Sequence, residues 1–380
     1  MSALPNRAHP SAGAYRVMLV DDSVVIRGLM DRWLSQDPAI TVVGSASNGA
    51  VALKELERCH PEVVVLDLEM PVMGGIEALP RLLKLAPHLK VIVASTLSLR
   101  NAEISLQALA AGAADYLPKP ESTRDKNVAL AYQRELIGKI KALGEAARGH
   151  MRRQPESSGP RTAGVPPAPA AKGLYGDKKV VLRKAASVPA RLLAIGCSTG
   201  GPQALFSLFG VLRNQIPLPI LITQHMPPSF TTILATHLQK ISGVTCAEAV
   251  EGEIIKPGRI YVAPGDWHMT VVEDGGKKTI HLDQNPPENF CRPAVDPMFR
   301  SIAKCYGSAA LAVLLTGMGA DGMRGGQVLV DAGGSILAQD EASSVVWGMP
   351  GAVATAGLCS GIFPLDQMGA KLLRAVGASA

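Results

Sequence analysis

Ser198 stands in Gly196-Cys197-Ser198-Thr199-Gly200, a GxSxG pattern lying between an apolar run at 192–195 and a helical pattern that begins near Pro202. A sharp strand-to-helix turn projects such a serine outward, and the helix N-terminus brings unpaired N–H groups to the place where an oxyanion would form. A serine hydroxyl attacks an acyl carbon only when a base takes its proton. Of the eight histidines, His225 directly follows the apolar run 219–223, the next strand in sequence, and so reaches the same strand edge as Ser198. His268, inside a later strand-like run, is the weaker alternative. A carboxylate must then orient the imidazole. Asp321 qualifies because it follows the run 310–316 through the turn Thr316-Gly317-Met318-Gly319-Ala320. It could instead cap the next helix, and Asp266, Asp296 and Asp340 stay open as alternatives. Cys197 is a poor nucleophile candidate, since alternation along the strand end points it away from Ser198.

A second set of reactive residues lies in the first third of the chain. Asp21 and Asp22 follow one apolar run, Asp67 another, Ser95 ends a third, and Lys119 follows a fourth. In an open parallel sheet the carboxyl ends of the strands share one edge, so these residues converge. Three carboxylates together repel unless a hard cation with oxygen ligands neutralises them, most naturally Mg2+. One carboxylate can then take a phosphoryl group whose charge the metal and Lys119 balance. Taken alone, Asp21 and Asp22 could be helix caps.

Both sets need parallel sheets to position them. From 15 to about 132, five apolar runs (16–20, 40–46, 63–66, 91–94, 114–117) alternate with five helical patterns, the last heading toward Leu143, which implies a parallel sheet covered on both faces. From 191 onward the same alternation returns, with a hairpin expected from 260–262, 268–272 and 279–282. The fold class expected is therefore α/β twice: a flavodoxin-like (βα)5 domain at 15–133, and a doubly wound, mostly parallel domain with an antiparallel hairpin at 191–380. Between them, 134–190 reads as a flexible Pro/Ala-rich linker.

Composition narrows the function classes. The chain has 380 residues and a formal charge of +6, but residues 134–191 hold thirteen Lys/Arg against four Asp/Glu, or +9, which leaves −3 for the rest. The basicity belongs to the linker, and no Lys/Arg-rich recognition helix accompanies it, so a nucleic-acid partner is not expected. No apolar stretch of membrane-spanning length and no signal-like N-terminus is present, which predicts a cytoplasmic address without membrane insertion. The six cysteines form no CxxC pair or zinc spacing, and the five other than Cys197 read as small buried apolar residues.

The segments LVDDSVVIR, VLDLEMPVMGG and YLPKP resemble the response-regulator receiver family. That resemblance implies that Asp67 is the phosphoacceptor, that Asp21 and Asp22 hold Mg2+ with it, that Lys119 contacts the phosphoryl group, and that Ser95 and Tyr116 form a switch pair. A cis Lys119-Pro120 bond would also suit the family. The segments IGCSTGGPQAL, ITQHMPPSFT, VAPGDWHM, LLTGMGADG and QDEASSVVWGMPGAV resemble the catalytic domain of the chemotaxis protein-glutamate methylesterase family, with Trp347 where a Tyr is expected. This second resemblance implies a triad of Ser198, His225 and Asp321, with Thr199 beside the nucleophile and a Met318 backbone N–H near the oxyanion. It also implies phosphorylation-activated hydrolysis of glutamate γ-methyl esters on chemoreceptor helices, deamidation of selected glutamines, and a histidine kinase as phosphodonor, with no cofactor for the ester chemistry.

Overall fold

The computed structural model describes residues 13–96, 98–119, 126–153 and 180–377. The chain forms two compact units, Met1–Gly159 and Pro160–Ala380. In the first, β1 (Tyr15–Val20), α1 (Val24–Leu34), β2 (Ile40–Ala46), α2 (Gly49–Cys59), β3 (Val63–Asp67), α3 (Gly75–Leu85), β4 (Lys90–Ser95), α4 (Leu99–Ala110), β5 (Asp115–Pro118) and α5 (Lys126–Arg153) follow in strict alternation. The strands form one parallel sheet in the order β2-β1-β3-β4-β5. The order reverses beside β1, and a crevice opens at the carboxyl ends of β1 and β3 at such a switch point. All five residues of β3 are buried, the signature of a strand covered on both faces.

Helix α5 corrects the expected linker. Residues 134–153 are helical, because Leu136, Ile140, Leu143 and Ala147 make a buried stripe at three- and four-residue spacing. Near its end, Arg148 donates to the carbonyls of Gly13 and Ala14 and pairs with Glu62, and the Tyr15 hydroxyl donates to Glu145. The linker residues 154–179 and Pro120 lie outside the described residues. Residues 180–190 form no regular element, yet the Arg183 N–H donates to Cys359 O and the Ala186 N–H to Ser335 Oγ.

The second unit runs β6 (Leu192–Cys197), α6 (Gly201–Leu212), β7 (Ile220–Gln224), α7 (Phe230–Ser242), β8 (Cys246–Glu248), β9 (Ile260–Val262), β10 (His268–Asp274), β11 (Lys277–Asp283), α8 (Val295–Tyr306), β12 (Ala310–Leu314), α9 (Met323–Asp331), β13 (Ser335–Gln339), α10 (Met349–Thr355), β14 (Gly361–Phe363) and α11 (Leu365–Ala375). Seven strands form a parallel sheet, β14-β13-β12-β6-β7-β9-β8, and β10 with β11 makes a separate antiparallel hairpin closed by Gly275 and Gly276, both at positive φ. The segment 260–262, expected in the hairpin, is β9 of the main sheet. Its three residues are all buried, and its register runs parallel to both β7 and β8. Strands β6, β7 and β12 are buried along their whole lengths, so their carboxyl ends present one firmly held edge.

Candidate active site

Neighbouring strands β6 and β7 pair Cys197 with Gln224, and the His225 N–H donates to Cys197 O at 3.3 Å. Ser198 and His225 are therefore the next residues on adjacent strands, with backbones about 5 Å apart. The β12 end, paired with β6 on its other side, delivers the turn that carries Asp321. Gly200 (φ 75°) bends the chain into α6, so Ser198 sits at the head of that helix. The Ser198 N–H donates to Thr316 O at 3.0 Å, which ties the serine turn to the 316–321 turn. Gly317 allows that approach: a Cβ there would lie 3.0 Å from Ser198 Cβ and 2.4 Å from Met349 sulfur. Met318 follows directly. Thr199 is buried, its carbonyl accepting from the Thr316 hydroxyl at 2.9 Å.

His225 Nε2 lies 2.7 Å from Asp321 Oδ2. The carboxylate is nearly inaccessible and receives N–H groups from Val295 (2.6 Å), Asp296 (3.0 Å) and Gly322 (3.0 Å), besides the Asn289 amide (3.0 Å). Burial alone would raise its pKa, but the His225 contact and the backbone N–H groups hold it below the usual carboxylate range. Asp321 is thus an anchored anion. The other carboxylates are engaged elsewhere: Asp266 with Arg292, Asp296 with the Gly325 N–H, and Asp340 with Ser343. His268 is buried in β10, accepting from the Ala294 N–H at 3.2 Å, with its Nε2 3.3 Å from Pro286 O.

Two residues of the site, Asn289 and Cys291, were not foreseen. Cys291 Sγ lies 3.3 Å from His225 Nδ1, and this cysteine, like Cys305, is half-buried rather than buried, which corrects the reading of both. Burial favours the neutral imidazole, but Cys291 and Asp321 outweigh it and lift the His225 pKa to about 10. A lone cysteine between Phe290 and Arg292 carries no pattern that would have revealed this. Cys197 is wholly buried and its thiol pKa is pushed up by burial, which makes it inert.

In the first unit, oxygens of Asp21, Asp22 and Asp67 lie within 4.8 Å of one another. Lys119 Nζ stands 2.7 Å from Asp21 Oδ2 and 2.9 Å from Asp67 Oδ2. Burial raises the Asp67 pKa and the Asp21 charge adds to it, with Lys119 opposing; Lys119 in turn is raised by both carboxylates against its own burial. Asp21 Oδ2 is buried and accepts no well-angled hydrogen bond, the ion pair with Lys119 apart. An all-oxygen set with such an atom fits a hard divalent cation. Ser95 ends β4 with its hydroxyl 2.7 Å from that of Ser105, and Tyr116 is buried in β5 with Lys139 donating to its carbonyl at 2.7 Å.

An acidic crevice on a five-stranded parallel sheet, joined to an α/β unit with serine, histidine and aspartate on one strand edge, defines a receiver-linked ester hydrolase. The CheB methylesterase family model matches residues 193–372 and the response regulator receiver domain model matches 17–130. Over 371 residues the chain is 52% identical to protein-glutamate methylesterase/protein-glutamine glutaminase 1 of Paramagnetospirillum magneticum, covering 96% of this chain and 97% of that one. The Azospirillum brasilense protein-glutamate methylesterase/protein-glutamine glutaminase is 52% identical over 376 residues, 95% of this chain and 93% of that one. The crystal structure of the Thermotoga maritima CheB methylesterase catalytic domain is 40% identical, covers 49% of this chain and 99% of that one, and superposes with a TM-score of 0.48. The chain belongs to the CheB methylesterase family.

Proposed function

We propose that this protein hydrolyses glutamate γ-methyl esters on the cytoplasmic helices of chemoreceptors, giving glutamate and methanol, and deamidates selected glutamines there. Ser198 is the nucleophile, His225 the base and Asp321 the group that fixes the ring. The observation that carries this reading is the 2.7 Å contact of His225 Nε2 with an anchored Asp321, one strand from Ser198. Asp321 holds Nε2, so the serine proton goes to Nδ1, which exchanges its 3.3 Å contact with Cys291 Sγ for one with Ser198 Oγ as the substrate is attacked. Ser198 Oγ attacks the ester carbonyl as its proton passes to Nδ1, and the imidazolium then gives that proton to the departing methoxide. Water attacks the acyl-serine by the same route in reverse and frees glutamate. The Met318 N–H and the head of α6, next to Thr199, supply donors where the oxyanion forms. With a glutamine side chain the leaving group is ammonia.

Asp67 is the phosphoacceptor, fed by a histidine kinase, and the phosphoryl group raises esterase activity. Asp21, Asp22 and Asp67 would hold Mg2+, which when bound offsets charge on the transferred group. Lys119 supplies a further positive charge to it, and Ser95 and Tyr116 relay the change. Among the described residues no helix is long and apolar enough to cross a membrane, which suits work in the cytoplasm on the receptors' inner helices. Two units, with the first extended through α5, suit control of one unit by the other.

A fluorophosphonate ester tests the nucleophile. Mass spectrometry of the labelled protein is expected to place the adduct on Ser198, with labelling lost in Ser198→Ala and strongly slowed in His225→Ala. An adduct on Cys291, or unchanged labelling of His225→Ala, would overturn the assignment.

A further inference from the structure

Between β11 and α8 the chain makes a two-residue turn. The Glu288 N–H donates to Cys291 O at 3.1 Å and the Cys291 N–H to Glu288 O at 2.9 Å, and the two central residues, Asn289 (φ 51°) and Phe290 (φ 63°), are both left-handed. Such turns favour asparagine first and glycine second, because a Cβ at the second position crowds the backbone. Here a phenylalanine occupies that position, and it is 100% exposed. No burial offsets the unfavourable conformation. A solitary exposed apolar residue is ordinary surface, but this one is set in a rigid frame made of catalytic contacts. Asn289 donates to Asp321 Oδ1 at 3.0 Å and to Asp296 Oδ2 at 3.1 Å, while Cys291 Sγ touches His225 Nδ1 at 3.3 Å. Glu288 pairs with Arg300. The residues on either side of Phe290 thus contact two members of the proposed triad, and strain that clusters beside reacting groups points to a role there.

We propose that Phe290 is a specificity-determining residue that packs against the protein helix bearing the ester. The proposal rests on the methyl-ester reading above and names how that site meets its substrate. A glutamyl side chain is short, so its helix backbone must come down onto the rim of the site before the ester carbonyl reaches Ser198. Residues three and four positions from the modified glutamate share its helix face, and their apolar stems are what an outward aromatic ring at the rim would cover. A turn already fixed by Asn289 and Cys291 holds that ring in place before binding, which limits the ordering cost of association.

The test uses the full chain with a small phosphodonor. Methanol release is measured against the concentration of a methylated chemoreceptor cytoplasmic fragment, beside hydrolysis of p-nitrophenyl acetate. Phe290→Ala is expected to raise KM for the receptor about tenfold with kcat within about twofold, and to leave p-nitrophenyl acetate hydrolysis unchanged. Phe290→Trp is expected to restore a low KM. Phe290→Gly suits the turn better, so it is expected to raise the melting temperature while raising KM, a combination that a structural role alone does not give. A receptor KM for Phe290→Ala equal to wild type would overturn the proposal, as would an equal loss on both substrates. Wild-type protein that hydrolyses p-nitrophenyl acetate but releases no methanol from the receptor would remove the underlying reading, and the proposal with it.

Discussion

His225 has a carboxylate on Nε2 and the Cys291 sulfur on Nδ1, and both favour the charged ring when the ring nitrogens donate to them. Only the neutral ring can take the serine proton, so the fraction of competent enzyme grows as pH rises toward the His225 pKa of about 10. The acid limb of kcat/KM is therefore expected to extend well above neutrality. Cys291→Ala removes one cause of the raised pKa and is expected to move that limb to lower pH. Superimposable profiles for the variant and wild type would mean that the thiol does not tune the base. Ser198→Ala is expected to retain the fold and lose activity by about 10³-fold or more, with His225→Ala close behind because the groups act as a unit. Asp321→Asn is expected to lose less, and methanol-release rates of the three purified variants would rank them. The triad candidates were legible in the sequence because each follows an apolar run that ends at one sheet edge. Cys291 and Asn289 were not, since both reach the site from a turn far from any strand end.

At the level of elements, the active site depends on two turns meeting: the head of α6 and the segment after β12. Gly317 lets them touch, with Ser198 Cβ 3.0 Å from where its own Cβ would be. Gly317→Ala is expected to cost about 1–3 kcal/mol by overpacking and to lower kcat/KM by roughly 10²-fold through displacement of Ser198. Thermal melting and ester kinetics on the same preparation check both, and wild-type kinetics would show that the approach is not needed. The fully buried strands were readable as apolar runs, whereas 260–262 was misplaced because three residues display no periodicity and β10 lies close by in sequence. β8 and β14, also three residues each, escaped notice for the same reason. The last helix was read only toward Leu143 because Gly144, Ala146, Arg148 and Gly149 dilute the apolar pattern beyond it, although Ala147 continues the buried stripe of Leu136, Ile140 and Leu143.

For the whole molecule, the length of α5 decides where the chain can be divided. A cut at 133 would split the helix and expose its buried stripe, whereas removal of residues 1–159 follows the observed unit boundary. That deletion is expected to raise basal esterase activity, since the proposed control requires the unmodified first unit to restrain the second. The most direct test of the account is methanol release from a methylated chemoreceptor by the full chain, with and without a small phosphodonor and Mg2+. The account predicts donor-stimulated release in wild type, basal release without stimulation in Asp67→Asn, and none above background in Ser198→Ala. Stimulation that survives in Asp67→Asn, or release by Ser198→Ala at the wild-type rate, would contradict it.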